Sequence, residues 1–255
     1  METKRFVKSL LEVRENCGDL NLPSFVRITT ITSLSKLDSD IDIPFIREKF
    51  STTHVGKIGS NKSFEWKMKE NGFYNQITLE YADVYSKKSV KVFPNGSVHV
   101  TGCCNIKDCK SVMSQLCCII SKIIEKEVHY SEFRVVMINS NFSVNSNLDL
   151  MKVISEMKAR GCIVSFNPET YSAVKIKFNP GPDTKQVTAS IFSSGKVIVT
   201  GAVTLREIVF AYQFILSALK VAHMRPTDQR DLFDNFMGFT FEQWKSTVKD
   251  VPSFF

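Results

Sequence analysis

Polar and apolar positions alternate through several short stretches of this chain. Val187, Ala189 and Ile191 alternate with Thr188, Ser190 and Phe192, and Val197 and Val199 with Lys196, Ile198 and Thr200. Val174, Ile176 and Phe178 share one parity against Lys175 and Lys177, and Ile77, Leu79 and Tyr81 repeat the pattern earlier. A period of two sends successive side chains to opposite faces of a strand. Each predicted strand therefore has an apolar face and a face mixing Thr, Ser and Lys with aromatic rings. Two longer stretches follow a helical period. Leu205, Ile208, Val209, Tyr212, Ile215, Leu216 and Leu219 form one stripe, and Thr204 with Glu207 has capping-box spacing. An equivalent helix is predicted from about Ile106 to Glu125. Shorter helices are predicted over 42–50 and 148–160, the second stopping before Gly161.

These elements come as two sets. The phrase Val92-Phe93-Pro94-Asn95-Gly96-Ser97-Val98-His99-Val100-Thr101-Gly102 returns as Ile191-Phe192-Ser193-Ser194-Gly195-Lys196-Val197-Ile198-Val199-Thr200-Gly201. Each copy reads as strand, tight turn and strand. The starts also superpose, Phe25 through Ser33 on Glu132 through Ser140, and Leu37 through Ile43 on Val144 through Leu150. A repeat of this length predicts two half-domains related by pseudo-symmetry. The organisation expected is an N-terminal extension over 1–24, one repeat over 25–130, a second over 131–222, and an aromatic C-terminal extension over 223–255. The N-terminal extension carries a short helical stripe of Phe6, Leu10 and Val13.

The second hairpin phrase resembles the central hairpin of the TATA-box-binding protein (TBP) family, which is built from two such repeats. The resemblance covers roughly residues 25–222. It implies an α+β fold whose two pseudo-symmetric repeats form a saddle-shaped antiparallel sheet with helices on the convex face. It also implies that aromatic wedges on the concave face enter the minor groove of DNA. Phe93 and Phe192 match wedge positions directly, and Tyr171 stands where the family typically has Phe. Between Phe73 and Tyr74, strand parity selects Tyr74, because Ile77, Leu79 and Tyr81 correspond to Val174, Ile176 and Phe178. The implied wedges are Tyr74 with Phe93, and Tyr171 with Phe192.

The rest of the implied DNA face departs from the family by degrees. Lys175, Lys177 and Lys196 match strand positions where basic groups reach phosphates, beside Ile198, Thr200 and Thr101. Their first-repeat equivalents are Thr78, Glu80 and Ser97, while Lys91 and His99 replace apolar groove-contacting residues. The family's central Asn pair is replaced by Thr30 and Met137, followed by Thr32 and Asn139. The minor groove distinguishes little beyond A·T from G·C. Losing the Asn pair therefore predicts relaxed TATA specificity, and the missing first-repeat lysines predict a grip stronger through the second repeat. The resemblance also implies a B-type initiation factor docking at Asn167, Glu169 and Thr170, with RNA polymerase machinery following.

Composition narrows the alternatives. The net charge is +7 over 255 residues, with +4 on residues 1–130 (19 basic, 15 acidic), +4 on 131–222 (10 and 6) and −1 on 223–255 (4 and 5). A basic excess on the repeats suits a polyanion. No apolar run approaches the roughly 20 residues of a membrane span, and the start lacks a signal-peptide pattern. An intracellular protein is expected; the divergence, both extensions and the stretch Met137-Ile138-Asn139-Ser140-Asn141-Phe142 resemble TBP-like proteins of large DNA viruses, which implies a nucleus or viral factory. The seven cysteines have no Cys-x-x-Cys spacing, so reduced thiols and no metal or other cofactor are expected. His54, His99, His129 and His223 are scattered, and no phosphate-cradling or nucleophile motif occurs, which argues against an enzyme. The reading is a TBP-like, DNA-bending initiation factor. The alternative is an adaptor that keeps the saddle for protein partners and has lost tight DNA binding, and the substituted Asn pair, Glu80 and Lys91 favour it.

Overall fold

The computed structural model describes residues 12, 23–52, 64–69, 73–83, 86–226, 235–236 and 239–240. The expected N-terminal stripe, His54, and the tail aromatics Phe233, Phe241, Trp244, Phe254 and Phe255 lie outside these residues. The chain divides into two compact units. One is Thr30–Val136, and the other runs from Met137 onward and takes in the residues before Thr30.

The first unit contains β1 (Arg27–Leu37), α1 (Ile43–Thr52), β2 (Phe64–Met68), β3 (Ile77–Asp83), β4 (Lys87–Val92), β5 (Ser97–Cys103) and α2 (Ile106–Ile124). Its sheet runs in the order β2-β3-β4-β5-β1, with every pairing antiparallel. The second unit contains β6 (Tyr130–Ser143), β7 (Ser146–Leu148), α3 (Leu150–Ala159), β8 (Ile163–Asn167), β9 (Tyr171–Phe178), β10 (Val187–Ile191), β11 (Lys196–Ala202) and α4 (Leu205–Leu219). Its sheet order is β6-β11-β10-β9-β8, again antiparallel. After α4 come a short 3-10 turn, Lys220–Ala222, and β12 (His223–Pro226); farther on, β13 (Asn235–Phe236) pairs with β14 (Phe239–Thr240).

The two hairpins are equivalent pair by pair. Ser89 faces Thr101 and Ile77 faces Val92 in the first unit; Thr188 faces Thr200 and Val174 faces Ile191 in the second. The apolar parity is buried in both. Leu79, Val90, Val92, Val98 and Val100 are fully buried, as are Val174, Ile176, Ala189, Ile191 and Val197. Each long helix lies on its own sheet, α2 on β5 and α4 on β11. Burying one such aliphatic side chain contributes about 1.5–3 kcal/mol, so this parity fixes the register.

Helix starts follow the sequence closely. Thr204 and Glu207 form the capping box of α4, and the Asn105 side chain caps α2 by accepting from the Asp108 amide. The helix expected over 148–160 starts later, because Ser146–Leu148 is a strand paired with β12 and the Asp149 carboxylate caps at the next position. Tyr212 anchors α4 in the core of its unit. Its hydroxyl donates to the Ser24 carbonyl at 3.0 Å, and its ring meets Phe142 edge-on at 4.7 Å.

Candidate nucleic-acid interface

In the second unit the polar parity of the sheet forms a continuous field, exposed on β8 and β9 and, Lys196 apart, half-buried from β10 to β6. Two rows of paired residues cross it. Ser165, Lys175, Ser190, Ile198 and Asn141 make one; Ile163, Lys177, Thr188 and Thr200 make the other. Lys175, Lys177 and Lys196 are exposed, while Ile198 and Thr200 are half-buried. The Thr200 hydroxyl donates to the Thr188 carbonyl at 3.4 Å. At the hairpin end, the Phe192 amide donates to the Lys196 carbonyl, which turns the chain immediately after the buried Ile191. Phe192 stands half-exposed on the polar face. Tyr171 meets it edge-on, centroids 5.7 Å apart, and the Lys175 ammonium sits 4.6 Å from the centroid of the Tyr171 ring. Two rings and a cation thus share one corner.

The equivalent field of the first unit carries different chemistry on the same frame. Its rows are Thr78, Lys91, His99 and Leu34, and Lys67, Glu80, Ser89, Thr101 and Thr32. Phe93 turns out of the hairpin as Phe192 does, its amide donating to the Ser97 carbonyl. Its ring neighbour is His99, centroids 4.8 Å apart. Phe73 and Tyr74 are 77% and 85% exposed, so exposure does not separate them. Strand pairing keeps Tyr74 at the Tyr171 position, but in the turn before β3 rather than on a strand. Arg47 supports that turn by donating to the Phe73 and Gln76 carbonyls at 2.9 Å.

Glu80 stands where the second unit has Lys177. Lys69 and Lys87 approach it at 3.7 and 3.5 Å. Comparing matched positions alone missed Lys67 on β2 and Lys69 just beyond it, which add to this face; the alternation of Phe64-Glu65-Trp66-Lys67-Met68-Lys69 could have shown them. Burial, and then the neighbouring Lys91 charge, push the His99 imidazole below its ordinary pKa.

The four central positions are half-buried. Thr32 and Thr101 share a hydroxyl hydrogen bond of 3.2 Å in the first unit, with Thr30 two residues upstream. In the second unit, the Asn139 carbonyl accepts from the Thr29 hydroxyl at 3.2 Å, while its amide Oδ1 is buried without a partner. Met137 precedes it by two residues. The turn holding Asn167, Glu169 and Thr170 is exposed, and Asn167 closes it by accepting from the Glu169 and Thr170 amides. Among the described residues no group of three His, Cys, Asp or Glu side chains could hold a metal ion, and no helix is long and apolar enough to cross a membrane.

Residues 132–222 match the family profile described as transcription factor TFIID, or TATA-binding protein, TBP. A TATA-box-binding protein-like protein of Acanthamoeba polyphaga mimivirus is 26% identical, over 84% of this chain and 69% of that protein. Over most of its length the chain is similar to that TBP-like protein. TATA-box-binding protein 2 of Entamoeba histolytica is 27% identical over 52% of this chain, and the match spans only 59% of that relative. In solved structures, Methanococcus jannaschii TBP superposes with a TM-score of 0.55 at 17% identity, covering 77% of this chain and 98% of the archaeal one. The fold is therefore the two-repeat α+β fold of TBP.

Proposed function

We propose that this TBP-like protein is a transcription initiation factor that binds double-stranded promoter DNA from the minor groove and bends it, with relaxed TATA preference. A general role in transcription and DNA binding goes with the family. The observation that carries the finer reading is the placement of Phe93 and Phe192. Each follows a fully buried strand residue, Val92 or Ile191, and each turns half-exposed onto the polar face. An apolar ring held there has no core to enter. A base step is a flat apolar partner of the right size.

TBP is itself the type example of the energetic scheme. Unstacking a step costs a few kcal/mol, and the bent duplex then wraps more protein surface. The cluster of Tyr171, Phe192 and Lys175 supplies a stacking surface with a phosphate-seeking cation beside it. Lys177 and Lys196 add phosphate contacts that carry affinity and salt dependence but no sequence information. Thr30, Thr32, Met137, Asn139, Thr101, Thr200 and Ile198 would line the groove floor. Without an Asn pair they read bases weakly.

The exposed turn at Asn167, Glu169 and Thr170 is the proposed dock for a B-type initiation factor, with the polymerase machinery behind it. The mimivirus relative supports action in a viral factory; a nucleus is the other setting. Glu80 favours one competing role, an adaptor with weak DNA binding, because it places a carboxylate where a phosphate would lie.

The test is an end-labelled duplex in which energy transfer reports bending alongside affinity. Phe93→Ala with Phe192→Ala should weaken binding at least tenfold and abolish the bend. Retention of both properties would remove the wedges from the mechanism.

A further inference from the structure

His99 occupies the place of Ile198 in the frame. Both lie on the second hairpin strand, both face the polar side, and both pair with the residue two before the hairpin Phe, Lys91 or Ser190. One is hydrocarbon; the other can donate and accept. The imidazole is fixed by its contact with the Phe93 ring, 4.8 Å between centroids and tilted by 53°. Its charged neighbour on β4 is Lys91. On β1 it faces Leu34, and Lys36, two residues on, donates its ammonium to the Asn95 carbonyl.

We infer that His99 makes the DNA half-site under the first repeat tolerant of G·C pairs, whereas Ile198 holds the half-site under the second to A·T, so that the protein selects asymmetric sites in one orientation. The inference rests on the minor-groove reading above. In the minor groove an A·T pair offers only acceptors, and a G·C pair adds the guanine N2 donor. Hydrocarbon laid against that amino group buries a donor without a partner, a penalty of about tenfold in affinity or more. A neutral imidazole avoids it by accepting from the guanine amino group. Against A·T the other tautomer donates to adenine N3 or thymine O2. Burial and Lys91 keep the ring neutral at physiological pH. Protonation in acid removes the acceptor, so the tolerance should vanish there while A·T contacts remain.

The experiment uses the full-length protein and three duplexes: A·T-rich in both halves, G·C in one half, and G·C in both. Each protein is compared with itself, as the ratio of its affinities. Wild type should lose less than about threefold when one half becomes G·C, and about tenfold or more when both do. A label on one end of the mixed duplex should report a single bound orientation. His99→Ile should lose about tenfold on the mixed duplex relative to its own A·T affinity and should have no preferred orientation. His99→Gln, which both donates and accepts, should restore the tolerance. Acidification to below the ordinary imidazole range, far enough to protonate His99, should move wild type toward the His99→Ile ratio and leave His99→Ile unmoved. Unchanged ratios and orientation in His99→Ile overturn the inference alone. Failure of wild type to bind any duplex at low salt overturns the minor-groove reading itself.

Discussion

Lys88 offers a quantitative test of how the first repeat is held together. Its strand parity places it on the buried face beside Val90 and Val92, and only 1% of its side chain is exposed. The ammonium donates to the Asp83 carboxylate and lies 3.3 Å from Asp108 at the start of α2. Its Nζ is 5.0 Å from the centroid of the Tyr81 ring. Lys88→Met keeps most of the stem and removes the charge, leaving two carboxylates facing each other with the cation gone. Breaking a fully buried pair costs about 3–5 kcal/mol. Asp83 and Asp108 keep 15% and 25% side-chain exposure, so water can relieve part of that. About 3 kcal/mol is therefore expected, or a drop of about 6–12 °C in Tm. Urea unfolding followed by circular dichroism measures it. Adding Asp83→Asn and Asp108→Asn should restore at least half of the loss, because the penalty belongs to the stranded charges. The pH dependence has a defined sign. Burial alone would lower the lysine pKa, but Asp83 and Asp108 outweigh it and hold it above the ordinary value. The stabilisation is then complete below the unfolded-state pKa and fades only as pH climbs through the folded-state one. The gap between wild type and Lys88→Met should be flat from neutral pH to about 10 and should narrow beyond it. A loss below about 1 kcal/mol, or a triple variant no better than the single, would refute the electrostatic account.

Lys175→Gln with Lys177→Gln should lower the salt slope of DNA binding by about 1.8, the release expected for two phosphate contacts; titrations from low to moderate salt read it directly, and an unchanged slope removes these lysines from the interface. Gly195→Ala should cost at least about 3 kcal/mol, combining left-handed backbone strain with steric overlap, since φ is +82° and a Cβ would lie 2.2 Å from the Ser146 carbonyl oxygen. At Gly201, with φ +94° and nothing nearer than 3.6 Å, the same change should cost only the strain, about 1–2 kcal/mol; equal losses in denaturation would show that the Ser146 approach is immaterial. Tyr212→Phe should lose about 1–2 kcal/mol by leaving the Ser24 carbonyl without its donor, and raised amide exchange near Ser143 would locate the effect.

Much of the frame was legible because a period of two is hard to misread when one face is sealed. The parity that buries Ile77, Leu79 and Tyr81 was visible in the sequence, and so were the Thr204 cap and the outward turn of Phe93 and Phe192. The pairing of Ser146–Leu148 with His223–Pro226 was not. Strands this short carry no periodic signal, and their partner lies beyond a whole repeat in sequence. Lys88 was hidden differently. Lys87-Lys88 reads as two solvated lysines until alternation from Val90 and Val92 is extended back through Lys88. The supporting carboxylates, Asp83 and Asp108, are then found on β3 and α2. The contact of His99 with Phe93 was also missed: sequence showed the substitution for Ile198, but not that the ring lies against the neighbouring aromatic.

The two repeats show how far side chains can drift while a backbone register stays put. Asp108 and Glu207 occupy the same position in the first turn of α2 and α4, yet they do opposite work. The Glu207 carboxylate reaches back to accept from the backbone amides of Lys185, Val203 and Thr204. Asp108, one methylene shorter, instead meets the ammonium of Lys88, whose counterpart is the fully apolar Val187. On the polar face the same frame exchanges Lys177 for Glu80, Lys175 for Thr78 and Ile198 for His99. None of these exchanges disturbs the Ser89–Thr101 or Thr188–Thr200 pairing, because neither the backbone ladder nor the buried parity depends on them. The family profile matches residues 132–222, while the TBP fold extends over 77% of the chain. A pseudo-symmetric DNA grip would need like residues at like positions. Each unit of this chain keeps the same strand register and differs in its surface residues, a pattern that fits the asymmetric site proposed above.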